Sequence, residues 1–223
     1  MPAELQKTLN FLMDLRANNS REWFEDNKKR YEESRAIVET LLADIIQKFG
    51  KTEDLGDVEP KDCIFRIYRD VRFSKDKTPY KTNIGCVIGA EGRKSEGRSY
   101  YLHIEPLDES AVGAGAWNPS PEQLKAIRLN IAENPKALEK IVGAKNFKTF
   151  FKTLAGDRVK TSPKGFDASH PAIEFLKYKQ FMGWTNFSDE ELLKDDFADQ
   201  VVERFKALIP LETYLQSIYA KMR

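Results

Sequence analysis

The sequence predicts an α+β fold: an antiparallel sheet of about four or more strands, packed by N-terminal and C-terminal helices. Three observations predict it. Apolar residues recur at helical spacing over residues 4–49 and again from residue 120 onward. Between these blocks, residues 62–116 read as short strands rich in β-branched and aromatic side chains. The connections SKDKTPYK, EGRKSEGR and EPLDES are short enough to imply antiparallel neighbours. Helices, then strands, then helices is the order of α+β rather than of alternating α/β units.

The elements follow in order. Residues 4–17 form a first helix with Leu5, Leu9, Leu12 and Leu15 on one stripe. Asn19 caps the next helix, with Glu22 in the capping-box position, and that helix runs to Phe49 and stops at Gly50. Strands are expected at about 62–73, 82–90, 98–105 and 110–116. Ser120 and Pro121 start a helix, Asn134-Pro135 a short one, Phe147 to Leu154 another, and Pro171 the next. Ser188 with Glu191 makes a capping box leading into Leu192 to Leu208, and Pro210 breaks or kinks the chain before a last amphipathic helix.

At 223 residues, 41% hydrophobic and 32% charged, the chain suits one domain spanning residues 1–223 with a sizeable core. It has no apolar run of the roughly 18–20 residues that span a bilayer and no secretory signal pattern at its start, so a cytoplasmic location is expected and a membrane is not. Cys63 and Cys86 are the only cysteines. A hairpin pairing Phe73 with Thr82 sets them about 20 Å apart, and both are read as reduced, buried thiols. With two His and two Cys, no metal centre is expected and no cofactor is evident. A net charge of +1 argues against a general nucleic-acid coat but leaves room for a local anion site.

One stretch concentrates positive charge. IFRIYRDVRFSKDKTPYK, residues 64–81, holds six cations against Asp70 and Asp76, a local +4. Strand alternation sends Cys63, Phe65, Ile67, Arg69, Val71 and Phe73 to the core, joined by Ile84, Cys86 and Ile88 and then Tyr100, Leu102 and Ile104. The other face collects Arg66, Tyr68, Asp70 and Arg72, then Asn83, Gly85, Val87 and Gly89, then Tyr101, His103 and Glu105. Gly85 then lies between Asp70 and His103 and floors a trough that a small ligand could enter.

Arg66 and Arg72 suit bidentate contact with phosphate or carboxylate. Asp70 and His103 are the candidate acid–base pair, and Lys77 and Tyr80 close the site, with Tyr68, Tyr101 and Glu105 lining it. The alternative reading of the same face is a solvated sheet surface with ordinary cross-strand charge pairs. Arg69 falls on the core face, where an ion pair with Glu22 or Glu25 explains it; a bulge there would shift the register beyond it. Trp23, Trp117 and Trp184 read as core or interface aromatics. The GAGAWNPSPEQ segment ends a strand at a helix start, where Ser120 can cap the free amides itself.

The RIYRDVRFSKDKTPYK stretch resembles an uncharacterised family of bacteria, archaea and fungi whose hallmark is R-x-x-R-D-x-R-F followed by D-K-x-x-Y. Here those residues are Arg66, Arg69, Asp70, Arg72 and Phe73, then Asp76, Lys77 and Tyr80. The likeness extends to Asn19, Arg21, Glu22, Trp23 and Phe24, to GAGAWNP, and to PKGF and HP at 163–171. It is a domain of unknown function, so the resemblance implies a centre at residues 66–81 but no substrate or reaction. Three functions stay open on the sequence: an enzyme acting on a small anionic substrate, a module binding a nucleotide or nucleic-acid backbone, and a protein-interaction domain.

Overall fold

The computed structural model describes residues 2–222 and bears out the α+β class. Helix α1 spans Pro2–Ala17, α2 Arg21–Asp26, α3 Lys28–Phe49 and the single turn α4 Pro60–Cys63. Strands β1 (Ile84–Ile88), β2 (Tyr100–Ile104) and β3 (Ala111–Ala116) follow. Then come α5 (Pro121–Glu133), α6 (Pro135–Gly143), α7 (Lys145–Phe151), α8 (Ile173–Leu176), β4 (Phe181–Asn186), α9 (Asp189–Leu192) and α10 (Phe197–Tyr219). The four strands pair antiparallel in the order β1-β2-β3-β4.

Several local signals hold. Ser120 and Ser188 each form a full capping box, with Gln123 and Glu191, and Gly50 ends α3. Others are corrected. The expected helix from Asn19 to Phe49 is two helices that break at Asn27, whose N–H and side-chain amide both return to the Trp23 carbonyl. Its cap is Ser20, whose hydroxyl accepts from Trp23 N–H. Asn19 instead clamps Tyr80, accepting from its N–H at 3.1 Å and donating to its carbonyl at 3.0 Å. The helix expected from Ser188 ends at Leu192, and Pro210 sits inside the continuous helix α10 rather than ending one.

The sheet holds the largest correction. Residues 62–73 are not a strand. Only two isolated bridges mark the segment, Ile64 with Cys86 and Tyr68 with Tyr80. Its own side chains satisfy the backbone instead: Asp70 accepts from Arg72 N–H, Asp76 from Thr78 N–H, and Lys77 donates to the Val71 carbonyl. Such local bonds compete with a ladder. The fourth strand is β4, which the sequence reading missed. The Ile64–Cys86 bridge also places Cys63 beside Cys86 rather than about 20 Å away, although both remain free and buried. Burial pushes the Cys63 thiol up to about 11, so neither position favours a reactive thiolate.

Alternation holds on β1 and β2. Ile84, Cys86, Ile88, Tyr100, Leu102 and Ile104 are buried on the face covered by α3 and α10. Tyr100 stands edge-on to Phe49, with ring centres 4.8 Å apart, and leans on Phe205. On β4, Gly183 lets α10 reach the sheet, because a side-chain carbon there would lie 2.2 Å from Leu208. With one face of the sheet covered this way, the other carries a groove. Beyond the sheet's outer strands the chain is irregular: Phe65 N–H donates to the Gly85 carbonyl alongside β1, and Ala155 bridges Met182 alongside β4. Among the described residues, no helix is long and apolar enough to cross a membrane.

Candidate functional site

The open face of the sheet forms a groove of about 620 Å³, walled by Phe65, Val87, Tyr101, His103, Trp117, Met182 and Trp184. Glycines set its shape. A side-chain carbon on Gly113 would lie 2.6 Å from the Trp184 indole, and one on Gly85 would lie 2.8 Å from the Tyr101 hydroxyl. Both rings therefore lie flat across the strands, stacked on each other at 5.8 Å with 23° between planes. His103 stands edge-on to both. Trp117, 63% exposed, forms part of the rim. At the Phe65 wall, the Lys81 ammonium lies 5.3 Å from the ring centre.

His103 is held in one tautomer. Its Nε2 lies 2.6 Å from the Glu109 carbonyl, which can only accept, so Nε2 carries the proton. In the neutral imidazole, Nδ1 is then the acceptor for the Tyr101 hydroxyl at 3.3 Å. Burial pushes the Tyr101 phenol up to about 12, so it stays a donor. Glu105 accepts from Thr82 Oγ1 at 2.8 Å and Asn83 Nδ2 at 3.3 Å, and its carboxylate lies 3.9 Å from His103 Nε2. His103, Tyr101 and Glu105 thus gather, as the alternation reading placed them.

Asp70 does not join them. Gly85 faces His103 on one side, as expected, but the residue whose N–H bonds Gly85 on the other side is Phe65. The expected hollow over Gly85 is filled by the Tyr101 phenol. Asp70 forms a two-pronged pair with Arg72, at 2.9 and 2.7 Å, which holds its carboxyl below the usual carboxylate range. Arg69 pairs with Asp76 and the Thr78 hydroxyl rather than with Glu22 or Glu25. Backbone donation from Thr78, together with Arg69, lowers Asp76 to about 2. Lys77 is turned inward on the Val71 carbonyl.

Tyr80 is buried and stacks on Phe24 at 4.0 Å, so it anchors the segment rather than lining the groove. Tyr68 is half exposed in a separate cleft of about 350 Å³ with Arg21, Glu25 and Arg69. Phe73, expected in the core, is 96% exposed. Of the segment's six cations, Arg66, Lys75, Lys77 and Lys81 have no ion-pair partner among the described residues, Lys77 donating to the Val71 carbonyl instead. Arg66 is exposed and near enough to Lys81 to add to the lowering of its ammonium pKa, which burial begins.

Trp184, Met182, Gly113 and Gly115 were missed as site residues because β4 was missed and β3 was read for its helix junction. The available signal was FMGWTN, whose alternate residues Met182 and Trp184 share a face. Lys81 contributes to the charge of residues 64–81, but strand alternation assigns it no place in the site. Among the described residues, no group of three or more His, Cys, Asp or Glu is arranged to hold a metal ion.

A family model described as a conserved hypothetical protein (DUF2461) matches residues 7–214. No curated protein and no solved structure matches the chain.

Proposed function

The chain belongs to the conserved hypothetical protein family DUF2461, and we propose that its open sheet face binds a planar small molecule carrying an anionic group. The ring system lies among Tyr101, Trp184 and Trp117, and a phosphate or carboxylate meets Lys81 and Arg66 at the Phe65 end. One observation carries this reading: an aromatic-walled groove of about 620 Å³, one wall of which, Phe65, has the Lys81 ammonium 5.3 Å from its ring centre. Its size falls in the range of roughly 300–1,000 Å³ typical of small-molecule sites. Stacking contributes about 1–3 kcal/mol per ring, and a charge-assisted hydrogen bond about 1.5–3 kcal/mol. Together these suffice for micromolar to millimolar affinity once ordering costs are met.

The test is titration calorimetry and tryptophan fluorescence with adenosine monophosphate, adenosine, an aryl carboxylate and inorganic phosphate. The aryl anions should bind more tightly than adenosine or phosphate alone, and Trp184→Ala and Lys81→Met should each weaken them about tenfold or more. Absence of binding across the panel, or affinities indifferent to both substitutions, overturns the reading.

A catalytic second reading is favoured by the fixed His103 tautomer, whose Nδ1 and Tyr101 partner face the groove. Turnover of a bound aryl ester or phosphate that disappears in His103→Gln, with binding retained, would support it.

A further inference from the structure

A second cavity lies outside the groove: a cleft of about 350 Å³ between α2 and the cationic segment, lined by Arg21 and Glu25 from the helix and by Tyr68, Arg69, Val71 and Pro79 from the segment. Two stretches far apart in sequence build it. Asn19 clamps the Tyr80 backbone and Phe24 stacks on the Tyr80 ring, which fixes α2 against the segment. The Tyr68 ring leans on Phe24 and Tyr80, with ring centres 6.1 and 5.3 Å away, yet stays 48% exposed. An ordered aromatic cluster thus opens one ring to the cleft.

Arg69 is held in place from one side. Its Nη1 bonds Asp76, the Thr78 hydroxyl and, at 3.3 Å, the Thr78 carbonyl. Among the described residues, its Nε and Nη2 have no hydrogen-bond partner. Those two N–H groups form the edge that takes a carboxylate in two-pronged fashion. Three residues on, the same edge of Arg72 grips Asp70 at 2.9 and 2.7 Å. Arg69 offers that edge with no protein carboxylate on it. Arg21 and Glu25 stand one turn apart on α2, a spacing at which opposite charges often pair. Among the described residues, neither has an ion-pair partner. The cleft therefore presents two guanidinium groups and one carboxylate around an aromatic and aliphatic lining.

A simple anion would suit the arginines but be repelled by Glu25, and a simple cation would meet the reverse. We propose that this cleft binds a free α-amino acid with an apolar side chain: its carboxylate on the Nε–Nη2 edge of Arg69 with Arg21 beside it, its ammonium donating to Glu25, and its side chain against Tyr68 and Val71. Such a molecule carries both charges and the apolar group on a single carbon. It suits a cavity near the lower end of the roughly 300–1,000 Å³ range of small-molecule sites. The site is separate from the groove and does not rest on it.

Titration calorimetry of the full chain with leucine, N-acetylleucine and leucinamide tests the assignment. N-acetylleucine lacks the ammonium and leucinamide lacks the carboxylate, so leucine should bind about tenfold or more tighter than either. Arg21→Met should weaken leucine and N-acetylleucine about threefold and spare leucinamide, whereas Glu25→Gln should weaken leucine and leucinamide and spare N-acetylleucine. Both positions are exposed, so neither substitution threatens the fold. Arg69 also holds Asp76 and Thr78 and is left intact. Absence of saturable leucine binding, a derivative that binds as tightly as leucine, or affinities indifferent to both substitutions overturns the proposal.

Discussion

Tyr80 separates a structural from a ligand-binding account of the cationic segment. If its hydroxyl served a ligand, Tyr80→Phe would matter for function. The structure assigns the work to the ring, which is 3% exposed, stacked on Phe24 at 4.0 Å, and fixed by two backbone hydrogen bonds to Asn19. Among the described residues, the hydroxyl bonds nothing. Tyr80→Phe should therefore change stability by less than about 0.5 kcal/mol. Tyr80→Ala removes a buried aromatic, at a cost of roughly 3–5 kcal/mol. For a chain of this size, that lowers Tm by about 10 °C, at some 2–4 °C per kcal/mol. Thermal and urea unfolding of the two variants provide the assay. A Phe variant as damaged as the Ala variant, or an Ala variant with wild-type Tm, refutes the reasoning.

Three more outcomes follow from backbone and burial. Gly115→Ala forces a side chain onto a positive φ and within 2.2 Å of the Phe181 carbonyl, so a loss of about 3 kcal/mol or more is expected in urea unfolding. Gly97→Ala, with nothing within 4 Å, should be silent in the same assay. Glu212 has a folded pKa of about 7, above its ordinary 4.5, so the folded chain holds this proton more tightly than the unfolded one. Its effect on stability is absent below about pH 4.5 and grows unfavourable as pH rises to 7, approaching about 3 kcal/mol above it. Glu212→Gln should thus be neutral near pH 4 and stabilising at pH 8.5; equal differences at both pH values would contradict this.

The parts of the fold that depend on neighbouring residues were legible in the sequence. Ser120 and Ser188 announce their helices because a cap is a contact three residues long. Tyr101, His103 and Glu105 could be placed on one face because β1 and β2 alternate without interruption. Residues 64–73 satisfied the same strand pattern, yet Asp70 and Asp76 sit where their carboxylates reach the backbone two residues on, and this decided against a ladder. Once that strand dissolved, the Asp70–His103 pairing went with it, since it depended entirely on register. β4 was hidden for the opposite reason. Six residues with a glycine among them make a weak signal, and what fixes Gly183 in place is Leu208, twenty-five residues further along the chain.

The irregular chain beside each outer strand has a consequence for how this molecule meets others. A bare margin of hydrogen-bonding groups invites a foreign segment to zip on, which underlies both strand-donating recognition and fibril growth. Here Phe65 already occupies the Gly85 carbonyl on one flank, and Ala155 exchanges bonds with Met182 on the other. Both flanks are thereby blunted against templated growth.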